Sequence, residues 1–285
     1  MTRASTKPVT SSFVDVAGKV AIVTGASRGV GAATAVALAA GGAHVACAAR
    51  ATDEAPQRTP GTIDATVRQI TETGGSAIAV PTNLAHDDDV RAMVARTADA
   101  FGGVDILVNN AAITFPGDLN QEMKRFDLVF AVDLRAPLIA MQAAVPSMRA
   151  RGGGRILNVS SAAALNYIPE LMAYGMAKIA LEHLTVSAAA QLRPDAIAVN
   201  TFRIDLPVAS EGFIANFPEM DHSDWEPTDL AAEGILWMIQ QPAEYTGHNV
   251  GMARLRAEQG IMGSPSTRRG GPTGAFLTEN PMRLP

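Results

Sequence analysis

The stretch Thr24-Gly25-Ala26-Ser27-Arg28-Gly29-Val30-Gly31 is the most informative part of this chain. An apolar run at residues 20–24 precedes it, and an Ala-rich segment with helical periodicity follows it. Three glycines in a turn between a strand and a helix let the backbone approach a pyrophosphate, whose charge is held by free N–H groups and the helix dipole. The segment therefore predicts a dinucleotide-binding turn with the spacing G-x-x-x-G-x-G.

Two other interpretations of this turn are open. The same residues fit G-x-S-x-G, in which Ser27 is a hydrolase nucleophile on a strand–turn–helix elbow. That elbow needs an oxyanion-hole loop from an earlier strand, and only a short polar segment precedes residues 20–24. The glycines are also compatible with a tight turn that binds nothing. The dinucleotide interpretation is favoured over both.

On either side of this turn, β-branched apolar runs alternate with helical patterns. This alternation predicts an α/β fold, a doubly wound, Rossmann-like parallel sheet of about seven strands with helices on both faces. The predicted strands are 20–24, 44–49, 77–80, 105–108, 155–159, 197–201 and 248–252, and the predicted helices are 30–40, 63–73, 90–101, 122–148, 171–192 and 228–239.

No linker divides this series, so we predict a single domain over residues 17–258, with tails at 1–16 and 259–285. Within the domain, residues 206–226 are rich in Phe, Pro and acidic side chains and are interpreted as a lid over a site. Apolar side chains in the lid favour an apolar ligand, although they would equally pack the lid shut. These side chains are Phe213, Phe217, Met220 and Trp225.

Composition excludes several classes of protein. The 285 residues are 47% hydrophobic with a net charge of −5 and no basic block, which argues against a nucleic-acid partner. The single cysteine, Cys47, cannot form an intramolecular disulfide, which favours a reducing cytoplasm. The five histidines lack zinc-site spacing, so no metal is expected. The apolar run 30–49 is broken by Gly41-Gly42, so no membrane partner is expected.

The end of the second predicted strand bears on the choice of cofactor. NAD-selective folds place an acid there for the ribose hydroxyls, whereas NADP sites place a cation for the 2′-phosphate. This strand ends in Ala48-Ala49-Arg50, and Arg28 in the glycine turn adds a second guanidinium. The sequence therefore predicts NADP(H) in preference to NAD(H).

A tyrosine and a lysine supply candidate chemistry. Of the three tyrosines, only Tyr174 has a lysine, Lys178, four residues later. Positions i and i+4 share a helix face, so the ammonium lies near the phenol and favours its ionised form. Tyr174 is then a credible general acid/base. A surface neighbour pair on a helix is the alternative interpretation.

Thirteen residues before Tyr174, Ser161 follows a predicted buried strand. The carboxyl ends of parallel strands are where ligands bind, so this hydroxyl is placed to hold a substrate carbonyl against Tyr174. Ser160 is the alternative, and Ser161 is favoured.

Taken together and in this order, these motifs resemble those of the short-chain dehydrogenase/reductase family. The resemblance spans residues 18–256. It rests on T-G-A-S-R-G-V-G at 24–31, N-N-A-A at 109–112, S-S at 160–161 and Y-G-M-A-K at 174–178.

The resemblance implies a role for each matching residue. Tyr174 would exchange a proton with the carbonyl oxygen, Ser161 would orient the carbonyl, and Lys178 would bind the nicotinamide ribose and lower the pKa of Tyr174. Asn83-Leu84 would lie where the family contacts the adenine amino group. The implied cofactor-binding residues are Gly25, Ser27, Arg28, Gly29, Val30, Gly31, Arg50, Asn83, Leu84, Asn110, Ala111, Ala112, Tyr174 and Lys178.

This sequence departs from the family pattern at two places. Asp133 stands where the family has a relay asparagine; it is counted among the candidate catalytic residues because a carboxylate would change water ordering and the pH profile. After the sixth strand, Ile204-Asp205 replaces the usual Pro-Gly. Pro207 has no N–H with which to clamp the nicotinamide carboxamide. The clamp would therefore shift to Leu206 or Val208, or cofactor binding would weaken.

The resulting expectation is an NADP(H)-dependent oxidoreductase that interconverts a carbonyl and a secondary alcohol on a small, apolar substrate. The resemblance also implies a homotetramer or homodimer formed through the long helices 122–148 and 171–192. The alternative is a catalytically weak, cofactor-binding regulator or assembly subunit on the same fold.

Overall fold

Seven parallel strands form one sheet in the computed structural model, which describes residues 13–216 and 218–263. Their spatial order is β3-β2-β1-β4-β5-β6-β7, and every neighbouring pair is parallel. The predicted Rossmann-like fold class is confirmed. The strands are β1 Val20–Thr24, β2 His44–Ala49, β3 Ser76–Pro81, β4 Ile106–Asn109, β5 Gly154–Ser161, β6 Ile197–Ile204 and β7 Asn249–Gly251.

Helices cover both faces of this sheet and enclose two cores. Successive residues of a strand point to opposite faces, so Ala21 and Val23 of β1 pack in one core and Ile22 in the other. Helices α1, α2, α8 and α9 contribute to the first core, and α3, α5 and α6 to the second. The helices are α1 Gly29–Ala40, α2 Ile63–Glu72, α3 Asp87–Phe101, α4 Met123–Phe130, α5 Ala136–Ala150, α6 Met172–Leu192, α7 Glu211–Asn216, α8 Thr228–Ile239 and α9 Met252–Gln259.

The helix predicted over 122–148 is present as the helical segment Met123–Ala150, but it is not a regular α-helix throughout. A π-helical turn, Ala131–Arg135, separates α4 from α5. Apolar spacing does not reveal such a turn, because it adds one residue to a helix whose apolar face is otherwise unbroken, and π turns of this kind occur often at functional sites.

The segment Met123–Ala150 is also long and apolar enough, by length and composition, to cross a membrane. In this fold, 56% of its most apolar window is buried inside the protein, and α5 contributes to the second core. Core packing accounts for its apolar composition.

Helix α6 is attached to the sheet by a buried chain of polar side chains. Asn109 Nδ2 donates to Asn158 Oδ1 at 2.8 Å, and Asn158 Nδ2 donates to Thr185 Oγ1 at 2.9 Å. Thr201 Oγ1 donates to Thr185 Oγ1 at 2.8 Å, and Thr185 Oγ1 donates to the Leu181 carbonyl at 3.0 Å. This chain links β4, β5 and β6 to one position on α6, so it sets the height of the helix above the strands.

Thr185→Val is expected to lower the free energy of unfolding by about 1–3 kcal/mol, because it leaves Asn158 Nδ2 and Thr201 Oγ1 buried without their partner. Urea denaturation measures the effect. Thr71→Val is the matched control, since Thr71 also bonds back into its own helix but is exposed, and it should change stability by less than about 0.5 kcal/mol. Equal effects of the two substitutions would contradict the assignment.

Candidate active site

The strand order reverses between β1 and β4, which opens a crevice at their carboxyl ends. The glycine turn follows β1, and residues 110–112 follow β4. Thr24 joins the two sides: its Oγ1 accepts from the backbone N–H of Asn110 at 3.0 Å and of Ala111 at 3.1 Å. Asn110 Nδ2 also donates to the Thr24 carbonyl at 2.9 Å. The turn and the β4 loop therefore form one continuous wall of the crevice.

Glycine is required in this turn for steric reasons. Gly25 has φ +70°, and a Cβ there would lie 2.8 Å from Ala111 Cα. A Cβ on Gly31 would lie 2.3 Å from the Gly25 carbonyl oxygen. The backbone of the turn thus packs directly against the β4 loop at the N-terminus of α1. No acidic residue lies in the first turn of α1, and the Glu211 carboxylate, which a Cβ on Gly29 would meet at 3.4 Å, lies near enough to Arg28 for their charges to interact. With Arg28 offsetting that carboxylate, the helix N-terminus fits the diphosphate of a dinucleotide.

Two arginines lie beside this turn. Arg28 donates from Nε to the Pro60 carbonyl at 2.6 Å and from Nη2 to the carbonyls of Thr59 and Gly61 at 2.7 and 3.0 Å. These bonds hold the loop after β2 against the turn. Burial lowers the pKa of Arg28, the carboxylate of Glu211 raises it, and the guanidinium of Arg50 lowers it. Arg50, itself exposed, is therefore close enough for the two cations to interact.

The remaining predicted nucleotide residues lie at the same edge. Asn83 follows β3, and its Oδ1 accepts from the Ala85 N–H at 3.2 Å. Leu84 packs partly buried against the second core. Val30 is buried at the start of α1, and Ala112 is exposed in the β4 loop.

Ser161 and Tyr174 meet at the end of β5. Ser161 is the last residue of the strand, and its Oγ accepts from the Ala163 N–H at 3.3 Å. The Ser161 hydroxyl lies close enough to Tyr174, in the first turn of α6, to lower the pKa of that phenol. Ser160 instead points inward and donates to Glu182 Oε1 at 2.7 Å. Of the two serines, Ser161 is the one that faces the phenol.

Lys178 lies one helical turn below Tyr174 and is 1% exposed. Its Nζ donates to the Val159 carbonyl at 3.1 Å and lies 5.4 Å from the centre of the Tyr174 ring. Asp133 projects from the π-helical turn to the same point, with Oδ2 at 3.7 Å from Lys178 Nζ. Its Oδ1 accepts from the Ile113 N–H at 2.9 Å. The structure therefore brings all four candidate catalytic residues together.

Burial and charge act in opposite directions in this group. Burial raises the pKa of Tyr174, the Lys178 ammonium lowers it, the Asp133 carboxylate raises it, and the hydrogen bond with Ser161 lowers it. Burial raises the pKa of Asp133 to about 6, although Lys178 and the Ile113 N–H act in the opposite direction. Burial thus raises the pKa of both Tyr174 and Asp133, which leaves Tyr174 protonated and Asp133 mostly ionised at pH 7.

Sequence reasoning missed a buried ion pair beneath the site. Glu182, one turn after Lys178, accepts from Ser160 and pairs with Arg203 of β6 through two bonds, at 2.8 and 2.5 Å. Lys178 and Glu182 are four residues apart and therefore lie on one helix face. This spacing is the feature of the sequence that could have indicated a second charged residue beside the site. The partner on β6 could not be found from spacing, because it lies 21 residues away.

The Ile204-Asp205 departure has a structural explanation. Asp205 is buried, and its Oδ1 accepts from the Ala253 N–H at 2.9 Å, so it caps the N-terminus of α9. Gly251 accommodates this carboxylate, since a Cβ there would lie 2.0 Å from Asp205 Oδ2. The Ala209 N–H donates a hydrogen bond to the Glu226 carbonyl at 2.8 Å, so this backbone N–H already has a partner within the protein.

The segment 206–226, which is interpreted from the sequence as a lid, contains α7. A β-bridge between Val208 and Glu226 joins its two ends. Glu226 pairs with Arg256 of α9 at 2.8 Å, which fixes the end of the lid. Phe213 and Trp225 pack against each other, with ring centres 4.9 Å apart, whereas Met220 is exposed. Phe217 lies outside the described residues.

The hydrolase interpretation of the glycine turn finds no support. A nucleophile elbow exposes its serine, but Ser27 is only 6% exposed.

Known proteins resemble this chain in sequence. Residues 19–206 match the family model for short chain dehydrogenases. Mouse hydroxysteroid dehydrogenase-like protein 2 is 30% identical over 250 residues, which is 86% of this chain and 50% of the relative. The chain thus spans about half the length of that curated relative.

Solved structures share the fold. A candidate dehydrogenase from Xanthomonas campestris is 31% identical with a TM-score of 0.82, covering 93% of this chain and 100% of that one. A metagenomic short-chain oxidoreductase in complex with NADP is 30% identical with a TM-score of 0.69, covering 83% and 96%. A dehydrogenase from Mycobacterium paratuberculosis, bound to NAD, is 23% identical with a TM-score of 0.72, covering 83% and 97%, and shows a likeness of fold alone.

Proposed function

The chain belongs to the short-chain dehydrogenase family, and we propose that it interconverts a carbonyl compound and a secondary alcohol with NADP(H). The observation that carries this proposal is the convergence of Ser161, Tyr174 and Lys178 at the carboxyl end of β5, next to the glycine turn. A proton donor, a carbonyl-orienting hydroxyl and a cation in one crevice are what carbonyl reduction needs.

In the reductive direction, the Tyr174 phenol donates its proton to the carbonyl oxygen while Ser161 donates a hydrogen bond that holds this oxygen in place. When bound, NADP(H) would supply the hydride to the carbonyl carbon or accept it back. In the oxidative direction, Tyr174 as phenolate accepts the alcohol proton. The Lys178 ammonium favours the phenolate and would bind the nicotinamide ribose.

The turn that contains Gly25, Gly29 and Gly31 would hold the diphosphate. A solved structure that is 30% identical to this chain holds NADP, and the choice of cofactor in this chain rests on its arginines. Arg28 and Arg50 supply two positive charges beside the turn, where a 2′-phosphate would gain charge-assisted hydrogen bonds. We therefore propose NADP(H) as the preferred cofactor.

Arg50→Ala is expected to weaken NADPH binding by about 10- to 100-fold and to leave NADH binding unchanged, because only NADPH carries the 2′-phosphate. Fluorescence titration with each cofactor measures this. Arg58→Ala is the matched control, an exposed arginine in the same loop. Tighter binding of NADH than of NADPH by the unsubstituted protein would reject the cofactor assignment.

An apolar cluster supports an apolar substrate. Phe126 and Phe130 stack with ring centres 4.6 Å apart, and with Phe115 they pack beside Ala173, the residue before Tyr174. The lid places Phe213 and Trp225 together as a second apolar pair. We propose a small apolar ketone or secondary alcohol as the substrate, and a screen of such compounds tests this.

Tyr174→Phe is expected to reduce turnover by about 10²- to 10⁴-fold while cofactor binding is retained, because only the proton donor is lost. Stopped-flow or steady-state NADPH oxidation measures turnover, and fluorescence titration measures binding. Turnover that persists at the original rate would reject Tyr174 as the proton donor. An unchanged cellular role of the Tyr174→Phe variant would favour the alternative, a cofactor-binding regulator or assembly subunit.

We further propose that the chain forms a homodimer or homotetramer through α5 and α6. Met176, Ile179 and Val186 are 45%, 38% and 47% exposed on α6, and Leu138 on α5 is 39% exposed. Exposed apolar side chains on helices are typical of an interface between copies, and α5 and α6 both pack on the second core. We also propose a cytoplasmic location, because Cys47 is buried and is the only cysteine in the sequence.

Ile179→Glu combined with Val186→Glu is expected to reduce the assembly to a smaller species, because it places charges in an apolar contact. Light scattering after size-exclusion chromatography measures the mass. Leu119→Glu, at a residue that is 91% exposed in a loop, is the control and should not change the mass. A monomer in the unsubstituted protein would rule out this proposal.

A further inference from the structure

Asp133 and Lys178 form an ion pair that is closed to solvent. The side chains are 0% and 2% exposed, and Asp133 Oδ2 lies 3.7 Å from Lys178 Nζ. Within the described part of the chain, Asp133 Oδ2 has no hydrogen-bond partner, whereas Oδ1 is held by the Ile113 N–H. The carboxylate is thus aimed at the ammonium from a backbone anchor, and its effect on neighbouring groups is electrostatic.

The pair faces Tyr174 and little else that carries charge. From α6, Lys178 lies under the Tyr174 ring at 5.4 Å. The active-site end of β5 contributes the Ser161 hydroxyl and the Val159 carbonyl. On β6, Arg203 is already paired with Glu182. On α4, Arg125 lies over the Phe115 ring and pairs with Glu122. Among the described groups, Asp133 is therefore the one acid whose charge counteracts the effect of the Lys178 ammonium on the Tyr174 phenol.

We propose that Asp133 is a positioning residue that offsets the positive charge of Lys178 and thereby keeps the Tyr174 phenol protonated, so that the site acts best as a proton donor in carbonyl reduction. This inference rests on the proposed function of the same site. The carboxylate leaves the equilibrium between alcohol and carbonyl unchanged. It sets the pH range in which each direction runs.

The direction of the effect follows from the charges. A lone ammonium near a phenol stabilises the phenolate, which is the base that alcohol oxidation requires. A carboxylate beside that ammonium opposes its field at the phenol, because a buried charge is weakly screened. Oxidation then requires a higher pH, whereas reduction, which uses the neutral phenol, proceeds at neutral pH.

The test is a titration of Tyr174 that needs no substrate. Phenolate absorbance is followed against pH in the full-length protein and in Tyr174→Phe, and the difference isolates Tyr174 from the other two tyrosines. The same pair is measured with Asp133→Asn, which keeps an oxygen for the Ile113 N–H and removes the charge. The Tyr174 titration is expected to move down by about one pH unit.

Two further variants keep the result interpretable. Asp133→Ser removes the same charge with a smaller polar side chain and should move the titration in the same direction. Lys178→Met removes the opposing charge and should move it upward. Circular dichroism at each pH checks that the fold is retained. An unchanged or higher titration point in folded Asp133→Asn and Asp133→Ser would overturn the proposal.

This experiment separates the proposal from the proposed function. If the protein turned over no carbonyl substrate, the titration would still show whether Asp133 sets the proton affinity of Tyr174. If a substrate is found, the oxidation rate of Asp133→Asn should reach half its maximum at a pH about one unit lower than that of the unsubstituted protein.

Discussion

Every polar side chain that α6 buries must be hydrogen-bonded by the sheet, and the site depends on how this requirement is met. Lys178, Glu182 and Thr185 follow one another at helical spacing on the buried face. They bond β5 at Val159 and Ser160, and β6 at Thr201 and Arg203. These contacts fix both the rotation and the height of α6. The Tyr174 phenol, one turn above Lys178, is therefore held beside the end of β5, where Ser161 lies.

The two departures from the family pattern, Asp205 and Asp133, lie in different surroundings and differ in their contacts. Asp205 is used for folding, because it caps α9 and ties the end of β6 to the segment after β7. Its carboxylate accepts a hydrogen bond from the Ala253 N–H at the N-terminus of α9. Asp133 is used at the site, because its carboxylate lies against Lys178 within the buried group around Tyr174. A carboxylate introduced in place of another residue thus acquires its role from the groups around it, which are a helix terminus in one case and an ammonium in the other.

The nucleotide side of the crevice is built by backbone and the catalytic side by side chains. Gly25 and Gly31 let the turn after β1 pack closely against the β4 loop, and Thr24 joins the two segments with hydrogen bonds. Arg28 then fixes the loop after β2 over the turn by binding three carbonyls. Arg50 lies near enough to Arg28 for their charges to interact, so two cations are gathered beside the glycine turn.

Sequence by itself determined the parallel α/β architecture, the glycine turn and the grouping of Ser161, Tyr174 and Lys178, because these follow from local periodicity and from the rule that parallel strands end at one edge. It could not determine the π-helical turn that aims Asp133 at Lys178, since the apolar face of the helix continues through it. Nor could it pair Glu182 with Arg203. Such contacts join residues that are distant in the chain. The partner of each polar group is decided only when the fold buries that group beside a residue with which it can form a hydrogen bond.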